Sequence, residues 1–429
     1  MASETPEGAA APPTVNPRLL LVSQLIFNAG FYMVLPFLAT HLRDNLALAG
    51  AAVGLVLGVR TFSQQGLFVF GGALSDALGP RRIILLGCVV RTVGFLVLGF
   101  ADSLVPVLIG ACLTGVGGAL FSPAVSALVA LAGSASEARG GPSRSQLFAR
   151  LAVWSECGAV LGPLLGALLL GVSFQMVSLA GTLVFVVMFG VFYRALPKGI
   201  ATTQRADRDR ERTVWWRPLG DKRFLAFIAV YSTGLLSYNQ LYLALPVEIE
   251  RAGAEPGALA VMFMVVSALV IALQLPINRL TRRLGAAISL PLGFLIDALG
   301  FAVVALVAPA APAGGWWGLA PALVLVSAIA VARMVVNPVA MDLVPAFAGD
   351  SPLGVYYGAL ASAGGVAVLL GNALVGDLLD AALIPSPAAA LPWWTLAILP
   401  AVSALAFVAL LRFSSLGELT RPAARVEAS

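Results

Sequence analysis

Five ionisable side chains lie within long apolar stretches of this sequence: Arg60, Arg91, Glu156, Asp297 and Arg333. A charge at the centre of a helix in lipid costs roughly 2.5–3.5 kcal/mol on insertion scales, so each of these residues is a candidate for function. A carboxyl group in an apolar site favours its neutral, protonated form, because burial disfavours the charge. Glu156 and Asp297 are therefore predicted to bind and release protons, with Glu156 as the principal carrier.

The same charges have a structural interpretation. Glu156 can form an ion pair with Arg60 or Arg91 if the three helices meet. Asp297 and Arg333 lie in stretches that are neighbours along the chain, and we expect these two side chains to pair with each other. Paired charges would be part of the framework, whereas unpaired arginines would attract anions.

Polar and aromatic side chains also recur at helical spacing within the apolar stretches. Their positions predict contacts to a small molecule, since such sites have apolar and aromatic walls with a few polar groups. The predicted substrate-binding residues are Gln24, Asn28, Tyr32, Arg60, Gln64, Tyr238, Asn239 and Tyr242. The alternative is that these side chains only pack one helix against another.

Composition places the apolar stretches in a membrane. The chain has 429 residues, of which 59% are hydrophobic and 11% charged, and its mean hydropathy is +0.95. This small number of charged residues cannot cover the surface of a soluble globule. We therefore expect an integral membrane protein in contact with the lipid bilayer. Acidic residues interrupt the basic ones, as in the segment RADRDRER, which argues against nucleic-acid binding.

No motif of enzyme or cofactor chemistry is evident in the sequence. Nothing matches the nucleotide-binding loop Gly-x-x-x-x-Gly-Lys-Ser/Thr, and no Cys/His cluster has metal-ligand spacing. Cys88, Cys112 and Cys157 fall in apolar stretches, which predicts small core residues rather than disulfides. We therefore expect a protein that is not an enzyme and holds no metal or cofactor.

The predicted fold class is an all-α integral membrane protein with twelve transmembrane helices. A helix needs about 20 apolar residues to cross the bilayer, and lipid leaves helices as the only candidates for this sequence. The predicted spans are 19–40, 51–74, 83–101, 104–132, 147–171, 177–196, 223–246, 256–277, 287–308, 318–345, 353–379 and 391–412.

The arginines and lysines predict the orientation. If both termini are cytoplasmic, only Arg43 and Arg251 of the 26 basic residues fall in outer loops. Arg60, Arg91 and Arg333 fall within spans, and all the others are then on the cytoplasmic side, where basic residues concentrate. We expect a multi-pass protein of the cell membrane with both termini in the cytoplasm.

The chain divides into two pseudo-symmetric six-helix halves. The predicted segments are a disordered cytoplasmic tail at 1–18, an N-terminal half at 19–196, a cytoplasmic linker at 197–222, a C-terminal half at 223–412 and a cytoplasmic tail at 413–429. The pairs Leu35–Pro36 and Leu245–Pro246 each close the first span of a half and support an internal repeat. Parallel repeats of this kind place a substrate site at their interface, and we expect a monomer.

Two motifs resemble those of the major facilitator superfamily. GALSDALGPR at 72–81 resembles its loop signature Gly-x-Leu-Ala-Asp-Arg-x-Gly-Arg-Lys, and GAVLGPLLG at 158–166 resembles its antiporter motif Gly-x-x-x-Gly-Pro-x-x-Gly. Nearly the whole chain is similar to the MdtH-like multidrug efflux proteins of the drug:proton antiporter branch. The similarity is clearest at residues 58–79, 115–129, 337–348 and 391–394.

The resemblance implies two functional elements. The first is a cytoplasmic latch, placed on a tight turn at Ser75–Pro80 and formed by Gly72, Asp76, Gly79 and Arg81, with Arg81 pairing across the loop. The second is an antiporter-motif helix that carries Gly158, Gly162, Pro163 and Gly166. Glycines four residues apart let a neighbouring helix approach closely, and proline can kink the helix, so packing and a hinge are both open.

The sequence departs from the family pattern at three positions. Ala77 replaces the arginine that usually follows the loop aspartate, which predicts a weaker latch, and Pro80 replaces the next basic residue. Ala111 occupies the position near which proton-driven members carry an arginine in the fourth span. A proton relay through that arginine is therefore absent from this chain.

The function that the resemblance implies is export of amphipathic, drug-like small molecules by proton antiport with alternating access. The alternative is a facilitator or symporter that imports a polar metabolite or an organic anion, which the arginines within the spans favour. A receptor that transports nothing is the third interpretation.

Overall fold

The computed structural model describes residues 15–137, 139–142, 144–197, 217–255, 257–313, 315–348 and 353–413. Within these ranges the chain is helical and contains no strand. The helices are α1 (Pro17–Asp44), α2 (Gly50–Gln65), α3 (Phe68–Leu78), α4 (Pro80–Phe100), α5 (Leu104–Glu137), α6 (Arg144–Leu170), α7 (Phe174–Ala195), α8 (Arg217–Gly220), α9 (Lys222–Arg251), α10 (Gly257–Leu284), α11 (Ala286–Val307), α12 (Ala320–Ala348), α13 (Leu353–Asp380) and α14 (Leu391–Phe413). Short 3₁₀ turns occupy 315–319, 381–383 and 387–390.

Ten helices of the described ranges are long and apolar enough to cross a membrane. The second and seventh predicted spans are not among them, because α2 has only 16 residues and α9, although 30 residues long, is more polar. Large apolar side chains such as Leu168, Leu374 and Leu405 are exposed on the helix surfaces, as expected where lipid is the solvent. The predicted linker and both predicted tails lie mostly outside the described residues.

The second predicted span, 51–74, is broken into α2 and α3, which corrects the expectation of one continuous helix. α2 ends at Gln65, and Leu67 has the non-helical angles φ −100° and ψ 3° before α3 begins. The hydroxyl of Ser362 on α13 donates a hydrogen bond to the carbonyl oxygen of Gly66, at 3.3 Å. A side chain of another helix thus satisfies a backbone group that the break releases.

The prolines of the two Leu–Pro pairs do not end their helices. Pro36 lies inside α1 and Pro246 inside α9, so both helices continue for more than a turn beyond the positions where the pairs were expected to close them. The turn expected at Ser75–Pro80 is also shorter than predicted. α3 runs to Leu78 and α4 starts at Pro80, so only Gly79 lies between them, with a φ of +87° that favours glycine.

The long helices alternate in direction along the chain, with α2 and α3 together counting as one of them. The loops near residues 45, 101, 171, 255 and 310 therefore share one end of the molecule, which we call the Arg43 end. The opposite end contains the α3–α4 and α10–α11 turns and is called the Arg81 end.

Helix packing joins the N-terminal helices (α1–α7) to the C-terminal helices (α8–α14). Among the N-terminal helices, α1 packs on α6 and α7, and α4 packs on α5 and α7. Among the C-terminal helices, α11 packs on α12 and α14, and α9 packs on α13. The two groups meet where α2 packs along α13, where α6 packs on α10 and where α1 contacts α9.

Candidate functional site

A cavity of about 380 Å³ lies among α9, α11, α12 and α13, with Gln65 and Phe68 at the α2–α3 break forming part of its wall. This volume is within the usual range of small-molecule sites. Its polar lining residues are Gln65, Tyr231, Ser237, Tyr238, Asp297, Arg333, Asn337 and Tyr357. Phe68, Phe294, Ile329, Val336 and Met341 are among the apolar ones. The cavity can therefore hold an apolar body with polar groups at its edge.

Asp297 and Arg333 both line this cavity but form no ion pair, contrary to the expected pairing. Asp297 is 3% exposed, and its Oδ1 atom has no hydrogen-bond partner. Arg333 is exposed, and its guanidinium lies 3.8 Å from the centroid of the Tyr238 ring, as a cation–π contact requires. Neighbouring helices brought the two residues to one cavity, but their side chains have different partners.

Glu156 forms no ion pair with Arg60 or Arg91, the two partners that the sequence suggested. It is partly buried on α6, and the charged group within its electrostatic range is Arg333 of α12, with Ser267 of α10 nearby. The ion pairs among the described side chains are Arg43–Glu250, Arg43–Asp380 and Glu248–Arg251. Arg60 and Arg91 take part in none of these pairs. Glu156 thus faces the C-terminal helices and not the buried arginines.

The three predicted tyrosines gather where α1 meets α9. Tyr238 and Tyr242 lie one turn apart on α9, with ring centroids at 6.1 Å. Phe263 of α10 lies between Tyr32 and Tyr242, with its centroid 6.4 Å from the first ring and 5.5 Å from the second. The hydroxyls of Tyr32, Tyr238 and Tyr242 are all within electrostatic range of Arg333 and of Arg60.

The other predicted substrate residues contact neighbouring protein groups. The Asn28 side chain donates to Ser155 on α6, and Gln64 accepts from Arg60. The hydroxyl of Thr61 on α2 donates to the Asn239 side chain on α9 at 2.9 Å. Gln24 is partly buried on α1. Of the eight predicted residues, only Tyr238 lines the 380 Å³ cavity.

Charged contacts join the two groups of helices at the Arg43 end. Arg43 on α1 lies 3.3 Å from Asp380 of α13 and 3.6 Å from Glu250 of α9. The backbone amide of Gly50, at the start of α2, donates to Asp380 at 2.8 Å. A carboxylate at a helix N-terminus accepts from free amides and interacts favourably with the helix dipole.

Close contact between α2 and α13 accompanies these charged contacts. Gly50, Gly54 and Gly58 recur every fourth residue on α2, and an added Cβ at any of them would collide with the backbone of α13. This set was not predicted, although its spacing is the same as that of the antiporter motif. Phe68 was not predicted as a cavity residue either, and no local feature of the sequence indicates it.

Comparison with known proteins identifies the family. The family model for the Major Facilitator Superfamily matches residues 20–372. The chain belongs to the major facilitator superfamily. An uncharacterised MFS-type transporter of Mycobacterium tuberculosis (strain ATCC 25618 / H37Rv) is 39% identical over 376 residues, which is 85% of this chain and 86% of the relative.

The chain also resembles the multidrug resistance protein MdtH. MdtH of Escherichia coli (strain SE11) is 28% identical over 384 residues, covering 89% of this chain and 90% of the relative. MdtH of Sodalis glossinidius (strain morsitans) is 33% identical over 262 residues, covering 61% and 62%. The resemblance to MdtH-like proteins noted in the sequence is confirmed.

Solved structures of other transporters share this fold. The nucleoside transporter NupG matches with a TM-score of 0.76 at 12% identity, over 93% of this chain and 99% of that one. An auto-inhibited peptide transporter of the POT family matches with a TM-score of 0.71 at 16% identity, over 92% and 96%. At such low identity the likeness concerns the fold alone.

The superfamily loop signature lies at the Arg81 end. Gly72 is in α3, Gly79 separates α3 from α4, and the side chain of Asp76 lies outside the described part of the structure. The predicted pairing of Arg81 across the loop stays a prediction. Its guanidinium donates to the carbonyl oxygen of Tyr193 on α7 at 2.8 Å and lies 5.3 Å from the centroid of that ring. The contact ties the start of α4 to the end of α7.

The antiporter motif of the superfamily packs α6 directly on α1. An added Cβ at Gly158, Gly162 or Gly166 would collide with the carbonyl oxygens of Leu25, Ala29 and Met33, respectively. Small residues at this spacing allow two helix backbones to touch. Pro163 lies within α6, next to the central glycine. The packing role therefore has a geometric basis, and a hinge role stays a prediction.

Proposed function

We propose that this protein is a secondary transporter that exports amphipathic small molecules in exchange for protons. The observation that carries the proposal is the 380 Å³ cavity, which combines aromatic and apolar walls with an uncovered arginine and a buried carboxyl group. A membrane transporter needs such a site for its cargo. The resemblance to proteins named for multidrug resistance supports cargo of varied, drug-like structure.

We infer a topology of twelve crossings in two six-helix halves. α2 and α3 together make one crossing interrupted at Gly66–Leu67, and α9 makes another despite its polarity. α9 tolerates its polar residues because they bond within the protein. Asn239 accepts from Thr61, and Gln240 donates to Asn372 at 3.0 Å. Polar side chains in a membrane helix are accommodated when they face protein and not lipid.

The geometry supports alternating access with the Arg43 end closed. The charged contacts of Arg43 and the close packing of α2 on α13 seal that end. The cavity extends towards the Arg81 end, where Met341 and Tyr357 line it near the α12–α13 connection. Basic residues are concentrated at the Arg81 end, so we assign that end and both termini to the cytoplasm of the cell.

Glu156 and Asp297 are proposed to couple transport to protons. Glu156 belongs to the N-terminal helices and lies within electrostatic range of Arg333 on the C-terminal ones, so any motion between the two groups changes its surroundings. Asp297 has one buried oxygen without a partner, which an ionised carboxylate would tolerate poorly. A cationic cargo near either carboxyl group favours loss of its proton, which is the coupling that antiport requires.

Everted membrane vesicles test this proposal. A pH gradient, acid inside, should drive accumulation of a lipophilic fluorescent dye into vesicles that contain the protein. Glu156→Gln should abolish the pH-driven accumulation while leaving dye binding to the purified protein within about threefold, because the neutral amide keeps the shape of the protonated acid. Absence of accumulation for every dye tried, together with no effect of Glu156→Gln, would refute proton-driven export.

The second candidate function is uptake of an organic anion as a facilitator or symporter. One observation favours it: Arg333 is exposed in the cavity without a carboxylate partner among the described side chains. An anionic group that binds Arg333 would also repel an ionised Glu156 and favour its protonation, so proton and anion would bind together. Proton uptake on binding of benzoate by the purified protein, in place of proton release on binding of a cationic dye, would select this function.

A further inference from the structure

Two arginines of the N-terminal helices have no role in the proposed transport cycle. Arg60 on α2 is 6% exposed and Arg91 on α4 is 1% exposed, so both guanidinium groups are removed from solvent and lipid. No described carboxylate lies within ion-pairing distance of either group. A buried charge without a counter-charge is among the least favourable arrangements in a protein interior.

The two guanidinium groups are close together. The guanidinium carbon (Cζ) of Arg60 lies 4.5 Å from the centroid of the Phe31 ring, and that of Arg91 lies 4.9 Å from the same centroid. The two Cζ atoms are therefore at most 9.4 Å apart. Arg91 also lies 4.4 Å from the Phe27 centroid and 5.3 Å from the Phe185 centroid. Aromatic faces attract a cation, but they do not neutralise two like charges that repel each other at this range.

Hydrogen bonding leaves part of each guanidinium free. Arg60 donates to Gln64 and, at 3.5 Å, to Thr61, whereas its Nε has no partner. Arg91 donates from Nε to the carbonyl oxygen of Thr114 at 3.2 Å, whereas its Nη1 has none. Guanidinium has no acceptor, so a group that satisfies these N–H atoms must be an acceptor, and an anion is the acceptor that also offsets the charge.

We propose that Arg60 and Arg91 form a binding site for a small inorganic anion, held within the N-terminal helices as a counter-ion and separate from the cargo cavity. The arrangement around the arginines favours a small ion over a large one. Gly118 of α5 lies against Arg91 and Gln64, where an added Cβ would come within 2.6 Å of Arg91 Nη2. The site is independent of the direction of transport and of the coupling ion.

Chloride is the probe for this site. The full-length protein in nanodiscs should show a saturable rise in Tm as sodium chloride replaces sodium gluconate at constant ionic strength, because an ion that binds only the folded protein stabilises it by mass action. Equilibrium dialysis with radiolabelled chloride should give close to one site per chain. Indifference of Tm to the exchange of anions, together with no saturable chloride binding, would overturn the proposal.

Variants locate the anion. Arg60→Gln and Arg91→Gln should each lower chloride affinity at least tenfold. If these variants do not fold, Arg60→Lys is tested in their place; it keeps the charge and should retain measurable chloride binding. Arg333→Gln is the matched control and should leave chloride affinity within twofold. Loss of binding in Arg333→Gln alone would place chloride in the cargo cavity and overturn the assignment. Tighter binding of benzoate than of chloride at Arg60 would assign the site to an acidic group of the cargo, which also contradicts the proposal.

Discussion

Replacing Gly54 with alanine should weaken the closure of the Arg43 end. Gly54 faces α13 at the contact between the N-terminal and C-terminal helices. An alanine Cβ at this position would overlap the carbonyl oxygen of Asn372 and lie 2.8 Å from its carbonyl carbon. Both atoms belong to backbone, so rotation of a side chain cannot relieve the collision, and the two helices must separate.

The size of the effect follows from that distance. Moving the carbonyl carbon from 2.8 Å to an ordinary contact distance of 3.4 Å needs about 0.6 Å, and this is a lower limit because the carbonyl oxygen lies nearer still. A gap of about 0.5–1 Å already forfeits a quarter to a half of each dispersion contact. Overpacked contacts of this kind typically cost about 1–3 kcal/mol. If the strain is released when the Arg43 end opens, the ratio of closed to open molecules should fall about 5–150-fold.

Distance measurements between spin labels provide the assay. Labels on Asp102→Cys and Ala311→Cys, in a background without the three native cysteines, would report the separation of two exposed loops at the Arg43 end. Gly54→Ala should shift the distribution towards longer distances. Gly190→Ala is the control, because Gly190 has no atom within 4 Å of an added Cβ. Identical distributions for wild type, Gly54→Ala and Gly190→Ala would refute the assigned role of this contact.

Three smaller perturbations test other contacts. Asp380→Asn should lower the ratio of closed to open molecules, measured with the same spin labels, less than about fivefold, because a partly exposed ion pair with Arg43 contributes about 0–1 kcal/mol. A change as large as that caused by Gly54→Ala would contradict this. A double-mutant cycle of Thr61→Val and Asn239→Leu, followed by thermal unfolding, should give a coupling of about 0.5–1.5 kcal/mol, and additive effects would mean that the 2.9 Å bond contributes nothing. Asp76→Asn should lower the rate of dye transport without reducing the amount of protein inserted, and wild-type turnover in that variant would refute the latch.

The membrane class and the family follow from local features of the sequence. The share of apolar residues is too high for a soluble surface, and the loop and antiporter motifs need only ten and nine consecutive residues to be recognised. Glycines four residues apart lie on one helix face by the geometry of the helix itself, which is why the close packing of α6 on another helix was predictable. The same reasoning applied to Gly50, Gly54 and Gly58 would have predicted the contact of α2 with α13.

The break between α2 and α3 was not predictable in the same way. Residues 60–74 read as one apolar helix, and Gly66 alone is tolerated inside helices. At the break, the hydroxyl of Ser362, almost 300 residues further along the chain, donates a hydrogen bond to the carbonyl oxygen of Gly66. A local pattern contains no information about such a partner.

By itself, the sequence determined which residues are chemically exceptional: the carboxyl groups and arginines within apolar stretches, and the glycines that repeat along a helix. Their surroundings were decided only by the tertiary structure. Asp297 and Arg333 line one cavity without pairing, Glu156 faces Arg333, and Arg60 and Arg91 lie on aromatic rings. The reason is physical, because helical periodicity determines the face on which a side chain lies, whereas the neighbour that offsets a buried charge comes from another helix and depends on how all the helices pack.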